Sequence, residues 1–223
     1  MASPLTGELK AETMRIGILG TGTLAAALGE AWVRAGHDLV IGGRSRDRAD
    51  RLARRLGHGT LAAPPREAVS GRDAVLLAVS WDGAEEMLAR AGASDGLLDG
   101  TPLIDPTNAV AHGTGVLLTR PGEAMAERIT AAAPGAQVVK AFHLFPSGQW
   151  TNGRTEDPVT VVMCGDHPQA LRVTGDLVRA AGAVPAVLGG LDRVRQLEEV
   201  AGFVIALSFA GTDPNPAVPR LAS

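Results

Sequence analysis

Apolar residues in this chain gather in short runs separated by amphipathic stretches, and the two patterns alternate from Met14 to Phe209. The run Met14–Leu19 (MRIGIL), rich in β-branched residues and closed by Gly20, predicts a buried strand. Leu24–Ala35 follows with helical spacing and stops at Gly36. The alternation continues through a strand at His37–Ile41, a charged helix at Arg46–Leu56, a short strand near Thr60–Ala62, a strand at Asp73–Val79 and a helix at Asp82–Ala91 with Asp82 as its N-cap. Next come a strand at Pro102–Asp105, a helix at Gly122–Ala132 and a strand at Gln137–Phe142. A strand at Val159–Cys164, a helix at His167–Ala181 with Pro168 in its first turn, a strand at Val184–Leu188 and a helix at Leu191–Phe209 complete the series. Strands alternating with helices of about 10–15 residues make a mostly parallel sheet covered on both faces, so the predicted class is α/β, doubly wound.

The pattern also sets the expected organisation. Residues 1–13 lack the apolar run of a signal peptide and are expected to form a flexible leader. Residues 14–190 are the sheet domain. Residues 191–223 are a short helical extension whose tail carries Pro214, Pro216 and Pro219. The apolar stretch Val200–Ala210 is shorter than the roughly 18 residues of a membrane span and is expected to be a buried helix. The apolar closing helix, Leu197–Phe209, suggests a homodimer interface. A net charge of −3 gives no reason to expect nucleic acid as a partner. Cys164 is the lone cysteine, so an internal disulfide or cysteine-rich zinc site is ruled out and the reducing cytoplasm is the natural compartment. His112, His143 and His167 are not arranged as a metal box on any one element, and no metal is expected.

Gly20-Thr21-Gly22-Thr23-Leu24-Ala25 reads G-x-G-x-x-A directly between a predicted strand and a predicted helix. In a chain with 28 glycines the pattern alone says little, but in this context it signals a dinucleotide-binding Rossmann sheet. Gly20 permits the tight turn, Gly22 lets the backbone approach a pyrophosphate, and Ala25 keeps helix and strand close. An NAD site carries a carboxylate at the end of the second strand to bind the ribose 2′-OH. Here that end reads Gly42-Gly43-Arg44-Ser45-Arg46-Asp47-Arg48. Arg44 comes first, and Arg44 and Arg48 are four apart, so both can meet a 2′-phosphate. NADP(H) is the expected cofactor, with Arg51, Arg54 and Arg55 read as a solvated helix face.

Ligands of open α/β sheets sit at the carboxyl ends of the strands. Those ends carry Ser80 and Trp81, then Asp105, Thr107 and Asn108, then His143, Phe145, Ser147 and Trp150. Trp81, Phe142, Phe145 and Trp150 are four of only seven aromatic residues, and flat apolar surfaces there suit a flat-ring substrate. Phe142, inside a strand, is assigned to the core, while Trp81 and Trp150 read equally as substrate surface or as core. His143 is the best-placed proton donor. Asp105 is expected to cap its own Pro-Thr-Asn turn. Lys140 lies within a strand and needs a partner or solvent. With no tyrosine in the chain, a Tyr-x-x-x-Lys site is impossible.

These segments resemble the NADPH-dependent reductases of the 8-hydroxy-5-deazaflavin coenzyme, factor 420. The likeness is sharpest in MRIGILGTGTLA and HDLVIGGRSRDRA and extends to AVSWDGAEEML, VVMCGDHPQAL and the helix after Gly189-Gly190-Leu191. It implies that Thr21, Thr23 and Leu24 line the dinucleotide and that Arg44 and Arg48 hold the 2′-phosphate. Gly43 stands where the family has serine, and Ser45 is the replacement hydroxyl. It further implies hydride transfer between NADP(H) and a flat deazaflavin ring, a reaction that needs little acid–base help. Ser80, Trp81, Thr107 and Asn108 are assigned to the cofactor site, and Trp81, Phe145, Ser147 and Trp150 to the substrate. An NADPH-dependent imine or ketone reductase with His143 as acid, and a non-catalytic dinucleotide sensor, remain alternatives. Ferric reduction, as in related membrane reductases, would call for a membrane segment that this sequence lacks.

Overall fold

In a computed structural model, residues 12–151 and 156–218 are described. The expected leader, apart from Glu12 and Thr13, and Pro219 of the tail lie outside them. Eight strands form one sheet: β1 (Arg15–Leu19), β2 (Asp38–Gly42), β3 (Leu61–Ala63), β4 (Ala74–Leu77), β5 (Pro102–Asp105), β6 (Gln137–Lys140), β7 (Thr160–Gly165) and β8 (Val184–Gly189). Their spatial order is β3-β2-β1-β4-β5-β6-β7-β8. Every pairing is parallel except β6 with β7, where Lys140 stands opposite Cys164. The order reverses at β1, between β2 and β4, and an open sheet leaves its ligand crevice beyond the carboxyl ends at such a point.

The helices are α1 (Thr23–Arg34), α2 (Arg46–Leu56), α3 (Pro65–Val69), α4 (Ala84–Arg90), α5 (Met125–Ala132), α6 (Pro168–Ala180) and α7 (Val194–Phe209). Strand residues point alternately to the two faces and so build two cores. Ile16, Ile18 and Leu76 join α1, α2 and α6, with Trp32 fully buried among them. Leu19, Val75 and Leu77 join the apolar faces of α4, α5 and α7. The two main strands of the switch, β1 and β4, are almost entirely buried, which is why they read as continuous apolar runs.

Several expectations are corrected. α3 is absent from the sequence reading because five residues are too few to show a helical period. Asp82 is not an N-cap: it lies in a 3₁₀ turn (Trp81–Gly83), and α4 starts at Ala84 without a side-chain cap. Its carboxyl is held below the usual range by a hydrogen bond with Ser80 and, more weakly, by the charge of Arg44. The closing helix splits into a 3₁₀ turn (Leu191–Arg193) and α7. The stretch Val200–Ala210 is not buried, since Val200, Phe203 and Phe209 are exposed. α7 buries only Val194, Leu197, Glu198, Ala201 and Gly202. A Cβ on Gly202 would sit 2.2 Å from the Gly115 carbonyl oxygen, so helix and loop meet backbone to backbone.

Candidate functional site

The crevice at the switch point is built first by backbone. Gly20 adopts φ +133° and donates its N–H to the Gly42 carbonyl at 2.8 Å. A Cβ at this position would stand 2.0 Å from the Ala78 carbonyl oxygen, so no other residue fits between the ends of β1 and β4. Gly22 precedes α1 in extended conformation, with no side chain capping the helix. A Cβ on Gly22 would meet nothing within 4 Å. The first N–H groups of a twelve-residue helix thus have no side-chain cap, and the approach past Gly22 is open, which fits a pyrophosphate. Thr21 is half-buried, Thr23 is exposed and opens α1, and Leu24 packs partly onto the first core.

At the end of β2, Gly43 lies close to Thr21, its absent Cβ 3.0 Å from the threonine methyl. The Ser45 hydroxyl accepts from the Arg48 N–H at 3.4 Å and so caps α2. The Arg44 side chain is 65% exposed, and its guanidinium is 3.9 Å from a Glu86 carboxylate oxygen on α4. Arg48 reaches the hollow beside the glycine loop, which is lined by Thr21, Gly22, Thr23, Arg51 and Arg55. Arg51 and Arg55 are thus part of the crevice wall. A run of arginines on a helix looks like a solvated face, and only the path of α2 places these two beside the glycine loop. Arg55 is ion-paired with Glu30, so Arg48 and Arg51 join the exposed Arg44 as the cations nearest the glycine loop. No carboxylate lies at the strand end, and the donor set matches a phosphate monoester.

The far side of the crevice is built differently. Asp105 is fully buried at the end of β5. One of its oxygens accepts from the Thr107 N–H at 2.8 Å and from its hydroxyl at 2.7 Å, the expected turn. The other accepts from the Lys140 ammonium at 3.0 Å. Lys140 also donates to the Thr107 carbonyl and, at 2.8 Å, to Glu198 of α7. Burial by itself would push the ammonium down, but the charges of Asp105 and Glu198 and hydrogen bonds to both hold it above its ordinary value. Glu198 accepts from the N–H groups of Met125 and Ala126 at 2.8 and 3.1 Å. Ala124 has no oxygen with which to cap α5, and Glu198 supplies it from another helix. Sequence reasoning missed Glu198, which stands beside Glu199 with nothing local to separate the two.

The Asn108 amide donates to the His143 carbonyl at 2.6 Å, tying the β5 and β6 loops together. Its carbonyl oxygen is buried without a hydrogen-bond partner, and the buried His143 ring faces the Leu197 backbone of α7. Burial, and then the charge of Lys140, push the His143 imidazole down to about 3. The expectation of His143 as a titrating acid is therefore corrected: it is neutral near pH 7. Phe142 is held at φ +61° and packs edge-on against Trp32 and Trp150 at centroid distances of 6.1 and 5.2 Å. Trp150 is 1% exposed and also meets Phe145 edge-on at 5.9 Å. Trp150 is thus core rather than substrate surface, as is Phe142. Trp81, Phe145 and Ser147 stay half-buried, and Ser80 is exposed. The Thr107 hydroxyl is committed to Asp105, so its turn rather than its side chain is offered to a ligand. Among the described residues, no group of His, Cys, Asp or Glu is placed to hold a metal ion.

Residues 15–109 match the model of the family described as NADP oxidoreductase, coenzyme F420-dependent. Metalloreductase STEAP3 of Rattus norvegicus is 28% identical over 193 residues, 86% of this chain and 37% of the relative. Metalloreductase STEAP2 of Homo sapiens is 23% identical, covering 88% of this chain and 37% of its own. The chain therefore spans little more than a third of the length of these curated relatives. A candidate F420-dependent NADP reductase from Arthrobacter sp. FB24 has the same fold, with TM-score 0.75 at 22% identity over 89% of this chain and 96% of that one. A reductive aminase from Aspergillus terreus solved with NADPH aligns at TM-score 0.63 and 18% identity, covering 90% and 64%. These solved structures share the mostly parallel α/β, Rossmann-like fold of this chain.

Proposed function

We propose that this protein transfers a hydride between NADP(H) and a flat-ring acceptor, an 8-hydroxy-5-deazaflavin. The observation that carries the NADP part is the pairing of an uncapped, side-chain-free helix start at Gly22 with a strand end bearing Arg44 and Arg48 in place of a carboxylate. The family match over residues 15–109 supports the choice of acceptor.

In this reading Gly20 to Leu24 hold the pyrophosphate, Arg44 and Arg48 hold the 2′-phosphate, and Ser45 completes the strand end in place of a hydroxyl at Gly43. The turn of Thr107 and Asn108, with Ser80 and Trp81, bounds the nicotinamide. Trp81, Phe145 and Ser147 bound the acceptor. Bound dihydronicotinamide supplies the hydride, and the deazaflavin takes it up with one proton from solvent. The protein has mainly to orient two rings, because delocalisation spreads the product charge. A neutral His143 is compatible with that, since no strong acid is required. We further propose a homodimer that covers Val200, Phe203 and Phe209 of α7, and a cytoplasmic location in keeping with the single, buried Cys164. No described helix is long and apolar enough to cross a membrane.

The test mixes protein, NADPH and oxidised deazaflavin and follows bleaching of the deazaflavin's visible band, with flavins, imines and ketones alongside. Bleaching at catalytic protein concentration is expected. Turnover of an imine or ketone alone would replace the acceptor, and tight NADPH binding with no turnover on any acceptor would make the chain a sensor. Light scattering at the mass of one chain would reject the dimer.

A further inference from the structure

The buried ion cluster behind β5 and β6 has no place in the chemistry just described. One ammonium, Lys140, faces two carboxylates, Asp105 and Glu198, and all three side chains are fully buried. Desolvating three charges is costly, and apolar packing would stabilise such a site at least as well. The partners of the cluster point to what it does. From Glu198 on α7 the contacts run to Lys140 on β6, and from Lys140 to both Asp105 and the Thr107 carbonyl. Asp105 in turn fixes the Thr107 N–H and hydroxyl. Asn108 then clamps the loop after β6 through the His143 carbonyl. Every polar atom of the Thr107 backbone and side chain named here is held by this cluster, so the turn beyond β5 has its position set from a helix roughly 90 residues later in the chain, a separation the loop itself cannot enforce.

We infer that Glu198 and Lys140 are positioning residues: through Asp105 they set the Thr107–Asn108 turn, and so the α7 helix governs how the nicotinamide half of the cofactor seats. The inference rests on the NADP(H) reading of the crevice. It separates the two halves of the cofactor, because the glycine loop and Arg44 make no contact with the cluster.

The experiment compares wild type with Glu198→Gln, which keeps shape and one acceptor while leaving Lys140 and Asp105 as a neutral pair. Calorimetry measures NADPH and, separately, 2′,5′-ADP, which carries only the adenosine and 2′-phosphate end. Ala201→Gly, on the same helix and outside the cluster, serves as the control for loosened packing. Glu198→Gln is expected to weaken NADPH by about tenfold or more, on the scale of a lost charged hydrogen bond, and to leave 2′,5′-ADP within about twofold. Ala201→Gly is expected to lower Tm without that split, and Glu198→Asp, which retains the charge, to restore part of the NADPH affinity. An unchanged NADPH affinity in Glu198→Gln, or an equal loss for both ligands, overturns the positioning role. Wild-type protein that binds neither ligand overturns the NADP(H) reading itself, a result distinct from either.

Discussion

The two walls of the crevice reach their shape by opposite means. The wall made by β1, β2 and α1 is local: Gly20 to Leu24 and Gly43 to Arg48 are two short segments that offer open backbone and exposed cations. The wall made by β5, β6 and α7 is assembled from residues 33 to 73 positions apart, almost all buried and held by charge. Substitutions on the first wall should therefore act on ligand affinity, and those on the second on folding and on geometry. A long-range buried network transmits a defect, whereas an exposed arginine loses only its own contact.

The sharpest way to break that contrast is Lys140→Met. It strands two buried carboxylates and is expected to cost about 3–5 kcal/mol of stability, measured by urea unfolding; a loss under about 1 kcal/mol would mean the second wall is not held by charge. A further effect on that side comes from pH. His143 has its pKa lowered from 6.5 to about 3 by burial and the Lys140 charge. The unfolded chain binds more protons between these values, so the stability that depends on neutral His143 is complete above pH 6.5 and is lost as pH falls toward 3. His143→Asn should flatten that acid limb and leave the pH dependence of turnover between about 5 and 9 as it was, since the ring does not titrate there.

On the first wall, Gly20→Ala should cost about 1–3 kcal/mol for the positive φ, with more for the clash on Ala78, and should abolish measurable NADPH binding in calorimetry. Arg44→Ala should weaken NADPH by about 1.5 kcal/mol, near tenfold, and leave NADH unchanged, read as the ratio of the two KM values. Equal losses would remove the 2′-phosphate from Arg44. The smallest effect is expected for Glu86→Gln, which frees Arg44 from a distant, exposed carboxylate and should tighten NADPH by less than about 1 kcal/mol.

The legibility of the two walls follows the same division. The strands and most helices could be read because each buries a face whose period shows within a few residues. The glycine loop could be read because Gly20 is required by backbone geometry alone and Gly22 follows it directly between a strand and a helix. Arg51 and Arg55 share their local character with Arg54, and only the path of α2 past Gly22 tells them apart. Trp150 could be placed at the strand end but not assigned a side, because edge-on packing with Phe142 and Phe145 depends on how the loop after β6 turns back. The strained Phe142 conformation leaves no trace in composition or spacing.

What the sequence by itself determined is the alternating α/β order and the glycine turn between β1 and α1, and it supplied the Arg44 and Arg48 pair on which the proposed 2′-phosphate contact rests, all within about one element of each other. Only the tertiary structure decided which of Glu198 and Glu199 turns inward, that Lys140 finds two carboxylates, that His143 stays neutral, and that half of α7 remains uncovered. The reason is physical. Burial energies and pKa values are set by whatever the fold brings within a few ångströms, and for this wall those groups come from β5, β6, α5 and α7 together.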